Sequence, residues 1–400
     1  MSRADLLPAV DRAERELLLD LLAERPIAVQ FGRDVDATRF LEVVPEALYP
    51  LVCFHLRRAT TADAPQTLLA TLAAHYRGNV MLMMKRRAML RTAIGIFERE
   101  SIPFVALKGT VLAHTVYRDP VTRTMSDLDF LVQPSDLDRA FQAFLAAGFS
   151  VPYRARGSVV GAGEAPPLIH SSDETTLIEL HSLLDAAGSD VSEFEAIWSR
   201  RRDVQLLGDL SVSTLSPEDF FADVVLHTSK HHRFESLLRG VLDVALLMRA
   251  NLETFDWPAL RDEWKRMAVD RWMCLTMVLA HDLLDAPLPP ALDDARADVA
   301  EALPLAASQL WWRFSDRFPT KIVFALEGRM PARVHHDLDF VRVPYPRGFA
   351  GIVVRARRHS LRLMRLLSSL GKGKLRPSHI AAARDLFRKR ERLAELMGSE

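Results

Sequence analysis

Apolar positions in the first hundred residues recur at helical spacing. Leu6, Val10, Leu17, Leu18, Leu21 and Leu22 predict an amphipathic helix. A polar break over 58–65 precedes a stretch over 66–100 that lacks proline. There Leu68, Leu69, Leu72, Val80, Leu82, Met83 and Leu90 predict one long packed helix, with Met81, Met83, Met84 and Met89 as adaptable core. At Ile102 the period changes. Pro103 to Leu107 is too short an apolar run for a helix and fits a buried strand. Thr110 to Tyr117 reads as a helix, Asp119-Pro120 as a turn and Leu128 to Val132 as a second strand. Ser135 or Asp136 starts a helix over Leu137 to Ala147 that Gly148 ends, and Phe149 to Tyr153 follows as a strand. The glycine-rich patch 157–163 lacks the lysine and following helix of a phosphate loop.

Thr175 to Leu184 alternates again, with Thr175, Leu177, Glu179 and His181 on one face of a strand. Ser216-Pro217-Glu218-Asp219 is a helix start: a serine cap, proline at the first position and acids in the first turn. Helical patterning then continues almost to the end. It is broken at Pro287, Pro289 and Pro290, at Pro344 and Pro346, and at Gly371-Lys372-Gly373. The expected architecture is α/β (α+β), a small mixed-sheet core over 102–214 between helical regions over 1–101 and 215–400.

The chemistry centres on 104–132. Asp127 and Asp129 stand two apart in a strand-like run, so their carboxylates share a face. Two such groups repel unless a cation sits between them, and oxygen-ligated divalent metal resolves the conflict most simply. Upstream, a strand runs into Lys108-Gly109-Thr110 and a helix start, whose open N–H groups suit a phosphate. The other reading is a buried strand that ends in a solvated acidic turn.

A Gly-Thr turn followed by Asp-x-Asp resembles the polymerase-β-like nucleotidyltransferase superfamily. More narrowly, Lys108-Gly109, Tyr117, Pro120, Arg123 and Asp127 to Val132 resemble a family of uncharacterised bacterial nucleotidyltransferases. The likeness is specific over about thirty residues and looser from about 45 to 250. Thr110 stands where the superfamily usually has Ser or Gly, and the gap to Asp127 is longer than in its minimal members. The resemblance implies an NTP substrate, ATP first among them, two Mg²⁺ ions and transfer of a nucleoside monophosphate to an acceptor hydroxyl. It implies metal-binding and catalytic roles for Asp127, Asp129 and Glu179, and nucleotide-binding roles for Lys108, Gly109, Thr110 and Arg123. The other reading of Lys108 turns it back into the fold. The other reading of Glu179 is an exposed edge-strand residue.

The acceptor is less legible. His181, His227, Lys230 and His231 are candidates for its side of the site. His227 and His231 lie one helical turn apart and could ligate metal, but no third ligand is evident; a bland interhelical contact is the other reading. Lys+Arg and Asp+Glu balance at 52 each, so overall charge points to no partner class. The segment 347–400 is basic, 14 Lys/Arg against 4 Asp/Glu, either an RNA footprint or a solvated helical face. A small molecule or peptide is expected ahead of RNA; a toxin-type tRNA-modifying enzyme and a non-catalytic nucleotide-binding scaffold are the alternatives. Two distant cysteines, Cys53 and Cys274, build no disulfide framework. With no signal-peptide core and no membrane-length apolar run, a cytoplasmic location without membrane partners is expected.

Overall fold

The computed structural model describes residues 3–27, 31–59, 63–152, 163–184, 191–206, 208, 210–235, 237–311 and 377–398. Helices α1 (Arg12–Leu22), α2 (Ala37–Val43) and α3 (Tyr49–Arg58) lead into the long α4 (Gln66–Arg99). The core then runs β1 (Phe104–Ala106), α5 (Lys108–Thr115), β2 (Asp127–Val132), α6 (Leu137–Ala146), β3 (Phe149–Ser150), β4 (Leu168–His170) and β5 (Asp173–His181). Next come α7 (Val191–Ser199) and a hairpin of β6 (Arg202–Leu206) and β7 (Leu210–Thr214). The helices α8 (Pro217–Leu226), α9 (Leu238–Asn251), α10 (Trp257–Arg266), α11 (Asp270–Leu284), α12 (Ala295–Asp298) and α13 (Leu303–Leu310) follow, and α14 (Pro377–Leu396) is the last described.

The five-stranded sheet has the order β1-β2-β5-β4-β3. β2 and β5 are parallel neighbours; the other pairs are antiparallel. Period-two alternation on β2 divides its residues between two environments. Leu128, Phe130 and Val132 are buried, and Phe130 meets Phe97 of α4 at 5.2 Å and Phe104 at 5.7 Å between ring centroids. Phe97 also stacks on Phe104, so α4 belongs to the packing of the sheet although it lies before residue 101. Asp127 and Asp129 occupy the other face.

A buried polar network joins this core to the later helices. Arg123 donates through Nε and Nη2 to the two oxygens of Asp243 on α9, at 2.9 and 2.8 Å. The Tyr117 hydroxyl donates to Asp243 Oδ1 at 2.6 Å. Arg123 Nη1 and Arg239 Nη1 both donate to the Thr124 carbonyl, and the Thr124 hydroxyl reaches Ala47 O at 2.8 Å. From α4, Asn79 binds the Val121 carbonyl and Tyr76 binds Asp119, which caps the short turn Pro120–Thr122. The segment that enters β2 is thus tied from three sides.

Some sequence expectations change. Val10 lies before α1 and is 70% exposed. Met81 and Met84 are 59% and 62% exposed rather than core, because they fall off the stripe that α4 buries through Leu68, Leu72, Asn79, Arg86, Met89, Leu90, Ala93 and Phe97. Strand β4, α7 and the β6–β7 hairpin carried no recognised signal. Most of the glycine-rich patch 157–163, the breaks at 344–346 and 371–373, and Arg355, Arg357 and Arg358 of the basic segment lie outside the described residues. Farther along that segment, Arg390 of α14 pairs with Glu235 at 2.7 Å. No helix among the described residues is long and apolar enough to cross a membrane.

Replacing Asp243 by alanine would leave Arg123 charged and buried and Tyr117 without its acceptor. A loss of about 3–5 kcal/mol is expected for Asp243→Ala in chemical denaturation. A loss below about 1 kcal/mol would show that the network does not hold the fold.

Candidate active site

The parallel pairing of β2 with β5 sets Asp127 beside Leu177, Asp129 beside Glu179 and Leu131 beside His181. Paired residues in register share a face, so Asp127, Asp129, Glu179 and His181 converge. The donor atoms of Asp129, Glu179 and His181 all lie within 4.8 Å of one another. His181 Nε2 lies 3.0 Å from Asp129 Oδ1 and 3.9 Å from Glu179 Oε2. Ser126 Oγ donates to Asp127 at 3.1 Å.

Lys108 enters from the β1 side. It opens α5 with a φ of 45°, a left-handed conformation that strains any residue other than glycine. Its Nζ rests 2.8 Å from Asp129 Oδ1, so it faces the carboxylates rather than turning away. No side chain caps α5, which leaves the first-turn N–H groups without helical acceptors. The buried Thr110 hydroxyl has no hydrogen-bond partner and lines a cavity of about 240 Å³ with Arg86, Met125 and Leu128. Leu128 is on the face of β2 opposite the carboxylates.

Charge is unequally compensated. Burial opposes ionisation of Asp129, but Lys108 and the His181 hydrogen bond outweigh it and hold this carboxyl well below its usual range. Burial pushes Asp127 up, and Asp129 adds to it, against the pull of Lys108 and Arg239. Burial, then the charges of Asp129 and Asp127, raise Glu179 to about 7. Burial disfavours the charged forms of Lys108 and His181, yet their acidic neighbours keep both pKa values raised. The least neutralised group, Glu179, is where added positive charge would act most strongly.

Arg123 is engaged within the fold: its guanidinium bonds Asp243 and the Thr124 carbonyl and is 6% exposed. Other cations surround the site. Arg239 acts on Asp127, and burial followed by the nearby Arg123 lowers its pKa to about 10. Arg86, 5% exposed, lines a cavity of about 460 Å³ with Glu46, His75, Asn79, Thr124 and Met125. Its Nε and Nη1 have no hydrogen-bond partner among the described residues. Burial lowers its pKa, and Asp127 and Asp173 only partly oppose that.

His227 follows α8. Burial, then Lys108 and the neighbouring histidines, push its pKa well down. His231 is exposed and Lys230 half-buried on the same turn. Asp223, one turn earlier on α8, is buried and its charge acts on Lys108. Sequence reasoning passed over Asp223 and Arg86. Each had a signal, a charged residue on the apolar stripe of a helix: Asp223 within FFADVVL and Arg86 four before Leu90.

A family model described as "Uncharacterised nucleotidyltransferase" matches residues 34–285, more than half of the chain. The chain belongs to that family. The match spans every residue of the carboxylate cluster and the histidine turn, so this nucleotidyltransferase-family chain carries its charged site inside the shared region. No curated protein matches it. Among solved structures it is similar to the crystal structure of JHP933 from Helicobacter pylori, at 13% identity over 61% of this chain and 96% of that one. The TM-score of 0.30 is too low for that likeness to carry any argument.

The Glu179 carboxyl gives a pH test. Its raised pKa means the metal-free fold holds a proton that the unfolded chain releases between 4.5 and about 7. Wild type should therefore lose stability relative to Glu179→Gln as pH rises through this window. Parallel Tm–pH curves for the two proteins would contradict the assignment.

Proposed function

We propose that this protein is a Mg²⁺-dependent nucleotidyltransferase that moves a nucleoside monophosphate from an NTP, ATP first among them, to an acceptor hydroxyl. The observation that carries this reading is Asp129 in register with Glu179 on adjacent parallel strands, with Asp127 next along the same face. Three converging carboxylates with a strongly raised Glu179 fit a pair of divalent cations. Asp127, Asp129 and Glu179 would hold them, and the ions would supply charge neutralisation for the triphosphate and for the departing pyrophosphate.

In the transfer, the acceptor oxygen bonds to the α-phosphorus as the bond to the bridging oxygen breaks and pyrophosphate leaves. Glu179 would either complete the metal site or take the hydroxyl proton. The α5 N-terminus presents N–H groups of Gly109 and Thr110 to phosphate oxygens. Lys108 holds Asp129 ionised. Arg86, rather than Arg123, is the arginine with uncommitted donors for the polyphosphate. The acceptor approaches from the side of His181, His227, Lys230 and His231. A small molecule or peptide is favoured over RNA, since Lys+Arg and Asp+Glu balance at 52 each.

Asp127→Asn and Asp129→Asn should each abolish Mg²⁺-dependent NTP turnover with the fold retained. Glu179→Gln should reduce kcat far more than NTP affinity. Wild-type turnover in either aspartate variant would reject the metal assignment. A second expectation concerns Arg86. Since its buried donors are unpartnered, Arg86→Gln should leave the ligand-free Tm unchanged or raise it, while weakening ATP binding by about tenfold or more in titration calorimetry. A lowered Tm with unchanged ATP affinity would make Arg86 structural.

A further inference from the structure

Leu226 ends α8, and the chain passes into a π-turn over His227–His231, closed by His232 N–H donating to His227 O at 3.1 Å. In a regular α-helix His227 and His231 share a face and His232 points elsewhere. The wider turn brings the fifth residue back over the first. His227 Nε2 and His232 Nε2 lie 3.1 Å apart. The ring centroids are 5.2 Å apart for His227 and His231, 4.4 Å for His227 and His232, and 4.7 Å for His231 and His232. One nitrogen from each ring lies within 4.8 Å of the other two. The third ligand that spacing alone could not supply is thus His232.

We infer that His227, His231 and His232 form a binding site for one divalent transition metal of zinc type, separate from the carboxylate site. Zinc–imidazole bonds of about 2.0–2.1 Å in a tetrahedral site put ligand nitrogens about 3.3 Å apart. The His227–His232 pair, hydrogen-bonded at 3.1 Å, is close to that separation, and a His231 nitrogen lies within 4.8 Å of both. Three imidazoles suit zinc, cobalt, nickel or copper and do not suit magnesium, which takes oxygen ligands. The exposed edge at His231 gives an ion access and leaves room for a fourth ligand from solvent or substrate. The backbone is held in place for this. Arg233 and Phe234 are consecutive left-handed residues, with φ of 51° and 61°. Phe234 is fully buried and packs against Trp272 at 6.5 Å, which anchors the strained exit from the turn. π-turns and strained residues concentrate at functional sites. The nearby charge of Lys108 is offset by its pair with Asp129.

This site stands whether or not the chain transfers nucleotides. The test strips the full-length protein with a chelator, then titrates Zn²⁺ by calorimetry and Co²⁺ by visible absorption. One equivalent of Co²⁺ should give the intense absorption of tetrahedral coordination, and one equivalent of Zn²⁺ should displace it. His231→Ala and His232→Ala should each weaken zinc binding by at least about tenfold and remove that absorption, with the metal-free Tm unchanged. An Asp129→Asn, Glu179→Gln double variant should keep both. Absence of the tetrahedral spectrum in wild type would overturn the proposal. So would zinc affinity indifferent to both histidine variants, or binding lost in the carboxylate variant, which would assign the ion to Asp129, Glu179 and His181. If His232→Ala fails to fold, the exposed His231→Ala decides alone.

Discussion

Asp243 accepts hydrogen bonds from Arg123 and Tyr117 in a buried cluster, and the position of the carboxylate site depends on that arrangement. The segment from Pro120 to Ser126 has little regular structure of its own, yet it delivers Asp127 to the start of β2. It is fixed by Arg123 and Arg239 on the Thr124 carbonyl, by Asn79 and Tyr76 from α4, and by Ala47 before α3. A buried ion pair gains little net stability over well-packed apolar residues, because both charges are desolvated. Its value here is geometric: a bidentate arginine admits one register between β2 and α9.

The same commitment shapes the electrostatics. With Arg123 neutralised by Asp243, the direct partners on the carboxylate face are Lys108 and His181, and both meet the same oxygen of Asp129. Burial raises the pKa values of Asp127 and Glu179, the neighbouring carboxylates add to it, and Lys108 only partly opposes them. An arrangement that stabilised only the resting protein would place a second cation between them. Arg86 shows the complementary imbalance, a buried cation with open donors. The charge of Asp127 acts on Arg86, so the two imbalances are linked.

Much of this was legible in the residues. The change of period at Ile102, the capped start at Ser216 and the same-face placement of Asp127, Asp129 and Glu179 all follow from local rules, and the pairing of Asp129 with Glu179 realises them. What was illegible depended on long-range contacts. Arg123 sits in a motif beside the carboxylates, and only the packing of α9, 120 residues later, turns its guanidinium to Asp243. β4 is three residues long and carries too little alternation to be read. The convergence of His232 with His227 requires a π-turn, which has no recognisable periodic pattern. The exposed Met81 and Met84 show the reverse failure, since composition cannot say which residues of a long helix fall on its buried stripe.

The central claim is that the α-phosphate of a nucleotide is moved. The most direct measurement uses ATP labelled at either the α- or the γ-phosphorus, incubated with the protein, Mg²⁺ and a cell extract. The account predicts that α-label enters a protein-dependent product while γ-label leaves as pyrophosphate in equal amount. Transfer of the γ-label to product, or release of inorganic phosphate alone, would contradict it.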